Sequence, residues 1–310
     1  MRGSIFRAPP TKNDVRIYDM NEQKFNVIRD GFVLLDHGPI TMTLEAKKSG
    51  RPFSEAAVAG AEKALSVFEE LVTNLQTIRR PVGELDKLSN DAPTVVRRMA
   101  ESVAMLHESE FTPLAAVAGT VSDMAAEEMA RCGADYAIVN NGGDIAWRIS
   151  DIGRNSLRVG LISDIKTGIT THRLEIDSYG QIRGIATSGM GGRSLTRGVA
   201  SAVTALAETS SKADAAATSI ANACFCDDPA IIQCPAEELD YDTDIRGLLV
   251  TRSVGVLNKE SIDTALKAGK DRAEHLVKSG LILGAVIFVS GQMALVRKGT
   301  VDSLFDISRI

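Results

Sequence analysis

Cysteine, aromatic residues and long hydrophobic runs are all scarce in this sequence, and each shortage excludes a class of protein. The four cysteines, three of which stand close together as Cys224, Cys226 and Cys234, do not form the framework of a small disulfide-stabilised domain. Their spacing, with no histidine nearby, favours small buried side chains over a zinc site. The longest apolar run, residues 281–289, is far shorter than the about 20 residues of a membrane-spanning helix, so we expect a buried strand there.

An excess of one charge sign is also missing. The 35 lysines and arginines are interspersed with 40 aspartates and glutamates, which gives a formal net charge of −5. A nucleic-acid-binding protein needs a basic stripe or patch, so we expect no nucleic-acid partner. The beginning of the chain has no apolar stretch typical of a secretory signal, which predicts a cytoplasmic location away from membranes. With 44% hydrophobic and 24% charged residues, the composition is that of a globular protein.

The pattern of apolar residues predicts an α+β protein. We expect residues 1–24 to form an irregular arm and residues 25–310 a single α+β unit, with a division into two subdomains left open. Runs of strands with helices between them favour antiparallel sheets with helices packed on them. The predicted helices cover residues 54–80, 93–106, 113–132, 195–206, 213–223 and 259–278. The predicted strands cover residues 32–44, 136–139, 146–148, 157–163, 171–177, 181–187, 247–254, 281–289 and 292–297.

The first motif whose residues suit ligand binding is the segment 140–145. It reads Asn-Asn-Gly-Gly-Asp-Ile and follows a short apolar strand. Two glycines permit a tight turn in which backbone amides approach a ligand, and Asp144 can accept hydrogen bonds from hydroxyls or amines. The same residues are common in simple hairpin turns, so a purely structural turn stays open as an alternative.

The second motif is the glycine-rich segment 184–194, which we expect to join a strand to the helix predicted from residue 195. Free amides at a helix N-terminus favour a phosphate, and the hydroxyls of Thr187 and Ser188 add donors while Arg193 adds a positive charge. The segment lacks the Gly-Lys-Ser/Thr of a phosphate-binding P-loop. The alternative is a connector in which Ser194 only caps the helix.

The third motif is the pair Asp214 and Thr218, four residues apart on a predicted helix. This spacing places both side-chain oxygens on one helix face, where they can bind one hard cation such as Mg²⁺. The alternative is structural, since an aspartate in a first helical turn interacts favourably with the helix dipole and a threonine can bond to the backbone.

The set of motifs, in the order Ala-rich helix start, NNGGDI, IATSG and ADAAAT, resembles the ApbE family, and within it most closely the uncharacterised branch UPF0280. Members of the ApbE family are flavin transferases that use FAD and Mg²⁺ to attach FMN to a protein threonine. The resemblance spans about residues 113–223. It implies an ApbE-like α+β fold related to the T-fold, with FAD or FMN and Mg²⁺ as cofactors.

The resemblance also implies which residues form the site. Asp214 and Thr218 match the metal-binding aspartate and threonine of the family, and the backbone carbonyl of Ala116 is the nearest equivalent of its third metal ligand. The expected flavin-side residues are Asn141, Gly142, Gly143, Asp144, Thr187, Ser188, Gly189 and Arg193.

Two departures from the family pattern bear on the function. Pro113 and Gly119 stand where the transferases have an aspartate and a lysine, and the histidine-containing segment ending in Asp-Pro-x-Thr-Gly is missing between Gly189 and Asp214. We therefore expect a protein that binds a flavin or related phosphorylated ligand with Mg²⁺, with FMN-transferase-type chemistry. The alternatives are a flavin- or metabolite-binding protein without turnover and another small-metabolite enzyme on the same scaffold. The Ala-rich helices suit packing in a homo-oligomer.

Overall fold

A computed structural model of the chain describes residues 24–85, 91–150, 156–177, 180–299 and 304–310. The arm expected at residues 1–24 lies outside the described residues except for Lys24. The strands are β1 Phe25–Arg29, β2 Phe32–His37, β3 Ile40–Lys48, β4 Arg51–Pro52, β5 Tyr136–Asn141, β6 Asp144–Ile149, β7 Ser156–Ile162, β8 Thr170–Asp177, β9 Gly184–Ser188, β10 Ala202–Ala207, β11 Ile231–Pro235, β12 Leu249–Val254, β13 Gly284–Val289, β14 Gln292–Arg297 and β15 Phe305–Arg309. The α-helices are α1 Ser54–Thr73, α2 Leu75–Ile78, α3 Thr94–Ala104, α4 Val117–Arg131, α5 Ser210–Ala223 and α6 Lys259–Lys278.

The main sheet is antiparallel, with the strand order β1-β2-β3-β5-β6-β9-β10-β13-β14, and β4 pairs with β3. Side chains alternate between its two faces, so Met42, Leu44 and Ala46 of β3 are buried while the residues between them are more exposed. The buried face packs against α1, α4, α5 and α6. This arrangement confirms the expected mixture of helices and antiparallel sheet.

A second antiparallel sheet, with the order β15-β8-β7, packs on the opposite face of the main sheet. Its Leu174 and Phe305 share a buried cluster with Trp147, Leu206 and Phe288 of the main sheet. The strands β6, β9, β10 and β13 are therefore covered on both faces. None of the described helices has both the length and the apolar character needed to cross a membrane.

The prediction of a helix over residues 195–206 is wrong. Residues 202–207 form the strand β10, which lies between β9 and β13, and all six of its side chains are buried. Alanine favours helix in isolation. Residues 202–207, however, carry mainly apolar side chains on both faces, which suits a central strand that is covered on both sides. Tertiary packing therefore overrides local propensity, and Ser194 caps no helix.

Candidate functional site

A cavity of about 1070 Å³ surrounds one end of the main sheet. The β2–β3 and β5–β6 hairpins turn at this end, because Met42 near the beginning of β3 pairs with Asn141 at the end of β5. The lining includes residues from all three predicted motifs: Asn141, Gly142, Gly143, Asp144, Thr187, Arg193 and Asp214. Ser188, Gly189, Ala116 and Thr218 are not among the lining residues. Segments far apart in the sequence therefore meet at one cavity.

The Asn-Asn-Gly-Gly-Asp motif forms the turn between β5 and β6. Gly142 and Gly143 have φ angles of +66° and +112°, which side chains rarely adopt. The Gly143 amide donates to Asn140 Oδ1 at 3.0 Å, and the Asn141 amide group donates to the carbonyl of Ala118 at 3.3 Å. The motif is therefore a hairpin turn, as the structural alternative predicted. Because the turn also faces the cavity, it is compatible with ligand binding as well.

Asp144 begins β6 and lies directly beside the predicted phosphate segment. Its Oδ1 accepts a hydrogen bond from the Thr187 backbone amide at 3.2 Å. Burial raises the pKa of Asp144 to about 7, and the Thr187 amide and Arg193 partly oppose that rise. The carboxyl group is thus poised to gain or lose a proton near neutral pH.

The glycine-rich loop differs from its prediction because it leads to a strand. No helix begins at this loop, so the predicted contribution of a helix dipole to anion binding is wrong. Thr187 lines the cavity, and its hydroxyl forms a 2.8 Å hydrogen bond with the hydroxyl of Thr204. The positive charge remains: Arg193 lines the cavity and donates from Nη1 to the carbonyl of Pro39 at 2.6 Å. Arg193 therefore lies at the tips of both hairpins.

Helices α4 and α5 hold each other's first turns. Asp214 of α5 accepts from the Gly119 amide of α4 at 2.9 Å. Asp123 of α4 accepts from the amides of Ser210 and Ser211 in α5, at 3.1 and 2.9 Å. The first-turn amides of a helix otherwise lack partners, so this exchange fixes the position of Asp214 at the cavity wall. Sequence reasoning missed Asp123, although it is the single charged residue among the small and apolar residues 117–126.

The buried carboxyl group of Asp214 at the cavity wall favours its neutral, protonated form. Burial raises the pKa of Asp214 well above its usual range, and the charges of Asp144 and Asp123 raise it further, although the amides of Gly119 and Ala118 act in the opposite direction. Arg193 is the lining cation near Asp144. A bound cation would lower the pKa of both carboxyl groups and favour their charged forms.

The predicted metal ligands fit a hard cation in part. Asp214 and Thr218 lie one turn apart on α5, and the Thr218 hydroxyl makes no hydrogen bond within the described part of the chain. The carbonyl of Ala116, in contrast, accepts a hydrogen bond from the Thr120 hydroxyl at 2.6 Å. Carboxylate and hydroxyl oxygens suit Mg²⁺. Asp214 and Thr218 are thus available as ligands, whereas the Thr120 hydroxyl already occupies one of the two lone pairs of the Ala116 carbonyl.

Close packing of two helices explains why a glycine, Gly119, stands where the sequence resemblance places a lysine. A Cβ atom on this residue would come within 2.2 Å of the Ser210 carbonyl oxygen, because the backbones of α4 and α5 touch there. A side chain of any size, including a lysine, requires the two helices to move apart. The glycine is therefore part of the same helix contact that positions Asp214.

An antiparallel α+β fold with carboxylates, glycines and two arginines around a large cavity is typical of a protein that binds a small molecule. Residues 25–295 match the profile of the protein family described as AbpE bacteria, and the chain belongs to this family. This match and the relatives below confirm the resemblance to ApbE proteins and to the UPF0280 branch.

The relatives with curated names are UPF0280 proteins. The UPF0280 protein MK0206 of Methanopyrus kandleri is 31% identical over 231 residues, which cover 72% of this chain and 84% of that protein. The UPF0280 protein of Methanococcus vannielii is 36% identical over 191 residues, 60% of this chain and 74% of that protein. That of Methanothrix thermoacetophila is 39% identical over 135 residues, 43% of this chain and 54% of that protein. The chain thus spans about half the length of several of the relatives it matches.

A solved structure of the flavin transferase ApbE from Vibrio cholerae is also similar. It is 11% identical, and the match covers 86% of this chain and 96% of that chain with a TM-score of 0.45.

Proposed function

We propose that the cavity binds a flavin nucleotide, FAD or FMN, together with Mg²⁺, and that the chain catalyses FMN-transferase-type chemistry on it. The observation that supports this proposal is the convergence of separate motifs: Gly142 and Gly143, Thr187 with Arg193, and Asp214 all line one cavity. The resemblance to the ApbE family predicted this set from the sequence. A volume of about 1070 Å³ is large enough for a dinucleotide.

The flavin ring would bind on the helix side of the hairpin tips. The cavity is lined there by apolar side chains, which suit a flat aromatic ring: Phe68, Leu71, Leu75, Leu114 and Val121. Arg193 would contact the phosphates, because a guanidinium pairs well with phosphate oxygens. The backbone of the Gly142–Gly143 turn would lie close to the ligand, since glycines have no side chain in the way.

Mg²⁺ would bind to Asp214 and Thr218, and to the other lone pair of the Ala116 carbonyl. When bound, the metal polarises a phosphate oxygen of the dinucleotide. Arg193 stabilises the charge that develops on the phosphates. Asp144, whose pKa is about 7, is suited to accept the proton of an attacking hydroxyl group.

A second candidate function is binding without turnover. It is favoured by the contact at Gly119, where the transferases have a lysine, because the touching helix backbones leave no room for a longer side chain. In this case the cavity holds the flavin or a related metabolite but lacks one charged contact needed for transfer. A different small-metabolite enzyme on the same scaffold is the third possibility.

Release of FMN from FAD, measured by chromatography with Mg²⁺ and with EDTA, tests the first function. We expect FMN release only with Mg²⁺, and its loss in Asp214→Asn. Asp271→Asn is the matched control, because Asp271 is an exposed aspartate of α6 that pairs with Lys267. FAD binding without FMN release supports the second function. Neither binding nor release contradicts both.

A further inference from the structure

The glycine-rich loop at residues 189–194 has free hydrogen-bond donors beside the cavity. Within the described part of the chain, the amides of Gly191, Arg193 and Ser194 donate to no other group. Arg193 and Ser194 also line the cavity. Neighbouring free amides in a loop of this kind form a concavity that binds anions. The loop therefore offers donors to an anion although it leads to a strand rather than to a helix.

A lysine from another loop lies over these amides. Lys166 follows β7, and a Cβ atom on Gly191 would come within 2.7 Å of the Lys166 Cγ. Gly191 has a φ of +92°, so the loop presents only its backbone at this point. Ile165, which precedes Lys166, lines the cavity. The ammonium group of Lys166 is therefore within reach of an anion bound to the loop amides.

The turn that carries Lys166 is held by its own hydrogen bonds. Asp164 Oδ1 accepts from the Lys166 amide at 3.0 Å, and the Asp164 carbonyl accepts from the Thr167 amide at 3.1 Å. The Ile165 amide donates to the carbonyl of Ser201 at 3.4 Å. Lys166 is exposed, and its ammonium group forms no ion pair with a described carboxylate. Its backbone is thus fixed beside the glycine-rich loop, while its charge remains free for a ligand.

Arg193 and Lys166 lie at successive positions along the cavity. The Arg193 guanidinium lies over the β5–β6 turn, because a Cβ atom on Gly142 would be 4.0 Å from its Cζ. Lys166 follows β7, which belongs to the small sheet on the face of the main sheet opposite the helices. A ligand whose ring lies on the helix side thus meets Arg193 first and Lys166 next. Two cations in succession suit two linked phosphates, since each can pair with one phosphate group.

The carboxylates that line the cavity are Glu45, Asp144 and Asp214, and their charge would repel a phosphate unless it is offset. Glu45 pairs with Lys47 at 3.2 Å. Asp214 is the proposed ligand of Mg²⁺, whose two positive charges would offset those of Asp214 and Asp144. A diphosphate should therefore bind together with Mg²⁺.

We propose that Lys166 is a second phosphate-binding residue: with the free amides of the glycine-rich loop it holds the distal phosphate of a dinucleotide, while Arg193 holds the proximal one. This inference rests on the flavin function proposed above and deepens it. It makes the ligand a diphosphate such as FAD rather than the monophosphate FMN.

Titration calorimetry of the full chain with FAD and with FMN, both in Mg²⁺, tests the proposal. We expect FAD to bind at least about fivefold more tightly than FMN. Lys166→Gln keeps most of the stem over Gly191 but removes the charge, so the Kd for FAD should rise about fivefold and that for FMN by less than about twofold. Lys166→Arg should retain the preference for FAD. Lys298→Gln is the matched control, because Lys298 is also exposed but follows β14 at the edge of the main sheet.

Inorganic pyrophosphate, titrated in the same buffer, separates this proposal from the flavin function. We expect it to bind, with a Kd that rises about fivefold in Lys166→Gln. An unchanged Kd for FAD in Lys166→Gln, or equal losses of FAD and FMN affinity, would overturn the role of Lys166 and leave flavin binding in place. Pyrophosphate binding that depends on Lys166, without binding of either flavin, would support the diphosphate site and contradict the flavin function. Binding of none of the three compounds would contradict both.

Discussion

Asp123 and Asp214 each accept hydrogen bonds from the first turn of the other residue's helix. This exchange ties α4 and α5 together at the point where both reach the cavity. It also means that Asp214 has a structural role besides the metal-binding role proposed for it. Variants at this position must therefore keep an acceptor oxygen, as asparagine does and alanine does not.

Replacement of Asp123 tests how much its hydrogen bonds to the first turn of α5 stabilise the fold. Asp123→Ala leaves two helix amides without their acceptor. It also removes the carboxylate 3.3 Å from Arg148, which keeps Glu127 at 3.0 Å. We expect a loss of about 3 kcal/mol in the free energy of unfolding, measured by urea denaturation. The exposed Asp263 of α6 gives the control Asp263→Ala, with a change within about 0.5 kcal/mol. Equal losses of unfolding free energy in the two variants would contradict a stabilising role for the Asp123 hydrogen bonds.

Gly119 should tolerate no side chain, whereas another helical glycine should. Gly119→Ala brings its Cβ to within 2.2 Å of a carbonyl oxygen, so we expect a loss of about 3 kcal/mol in unfolding free energy. Gly60 in α1 is the comparison, because its nearest obstacle is the flexible side chain of Met129 at 2.6 Å. We expect Gly60→Ala to cost about 1 kcal/mol or less. A larger loss of unfolding free energy in Gly60→Ala than in Gly119→Ala would contradict the close contact between α4 and α5 at Gly119.

Asp144 should make the protein less stable as the pH rises. Its pKa is about 7 in the folded chain against 3.8 in the unfolded chain, so the folded state binds the proton more tightly. The resulting stability is complete below pH 4 and is lost as the pH rises towards and through 7, by about 3 to 4 kcal/mol.

Asp144→Asn removes this titration and keeps the acceptor for the Thr187 amide. In EDTA, the melting temperature of Asp144→Asn relative to the unsubstituted protein should be higher at pH 8 than at pH 5. Thermal unfolding at both pH values measures this difference. The same difference at both values would show that Asp144 does not titrate as described.

Arg193 should contribute to ligand affinity rather than to folding. Arg193→Gln removes the cation beside Asp144 and at the hairpin tips, and we expect the Kd for FAD to rise about tenfold with a nearly unchanged melting temperature. Fluorescence titration with FAD measures the Kd, with Arg252→Gln as the control. An unchanged Kd would place the phosphates away from Arg193.

Local signals in the sequence predicted the helices well where caps are strong. The helix 259–278 has the predicted ends, because the Asn258 side chain accepts from the Ser261 amide at 2.9 Å and Gly280 adopts a φ of +78° beyond the last turn. The helix α4 ends at Arg131, one residue before the predicted end, and Gly133 beyond it has a φ of +96°. These signals act over a few residues and need no tertiary information.

Features that depend on distant contacts could not be predicted in the same way. The alanines of residues 202–207 favour helix locally, and only burial between β9 and β13 makes them a strand. The exchange between Asp123 and Asp214 also requires the packing of α4 on α5. Seven of the eleven predicted site residues line the cavity, whereas Ala116, Ser188, Gly189 and Thr218 do not. Most of the lining comes from apolar positions outside the motifs, which no local signal marks. The relation to the T-fold stays a prediction.

Isothermal titration with FAD, in Mg²⁺ and in EDTA, tests the central claim most directly. The protein, Asp214→Asn and the control Asp271→Asn would be compared in both buffers. We predict saturable FAD binding that weakens at least about tenfold in EDTA or in Asp214→Asn, and is unchanged in Asp271→Asn. Absence of FAD binding to the folded protein in either buffer would contradict the account.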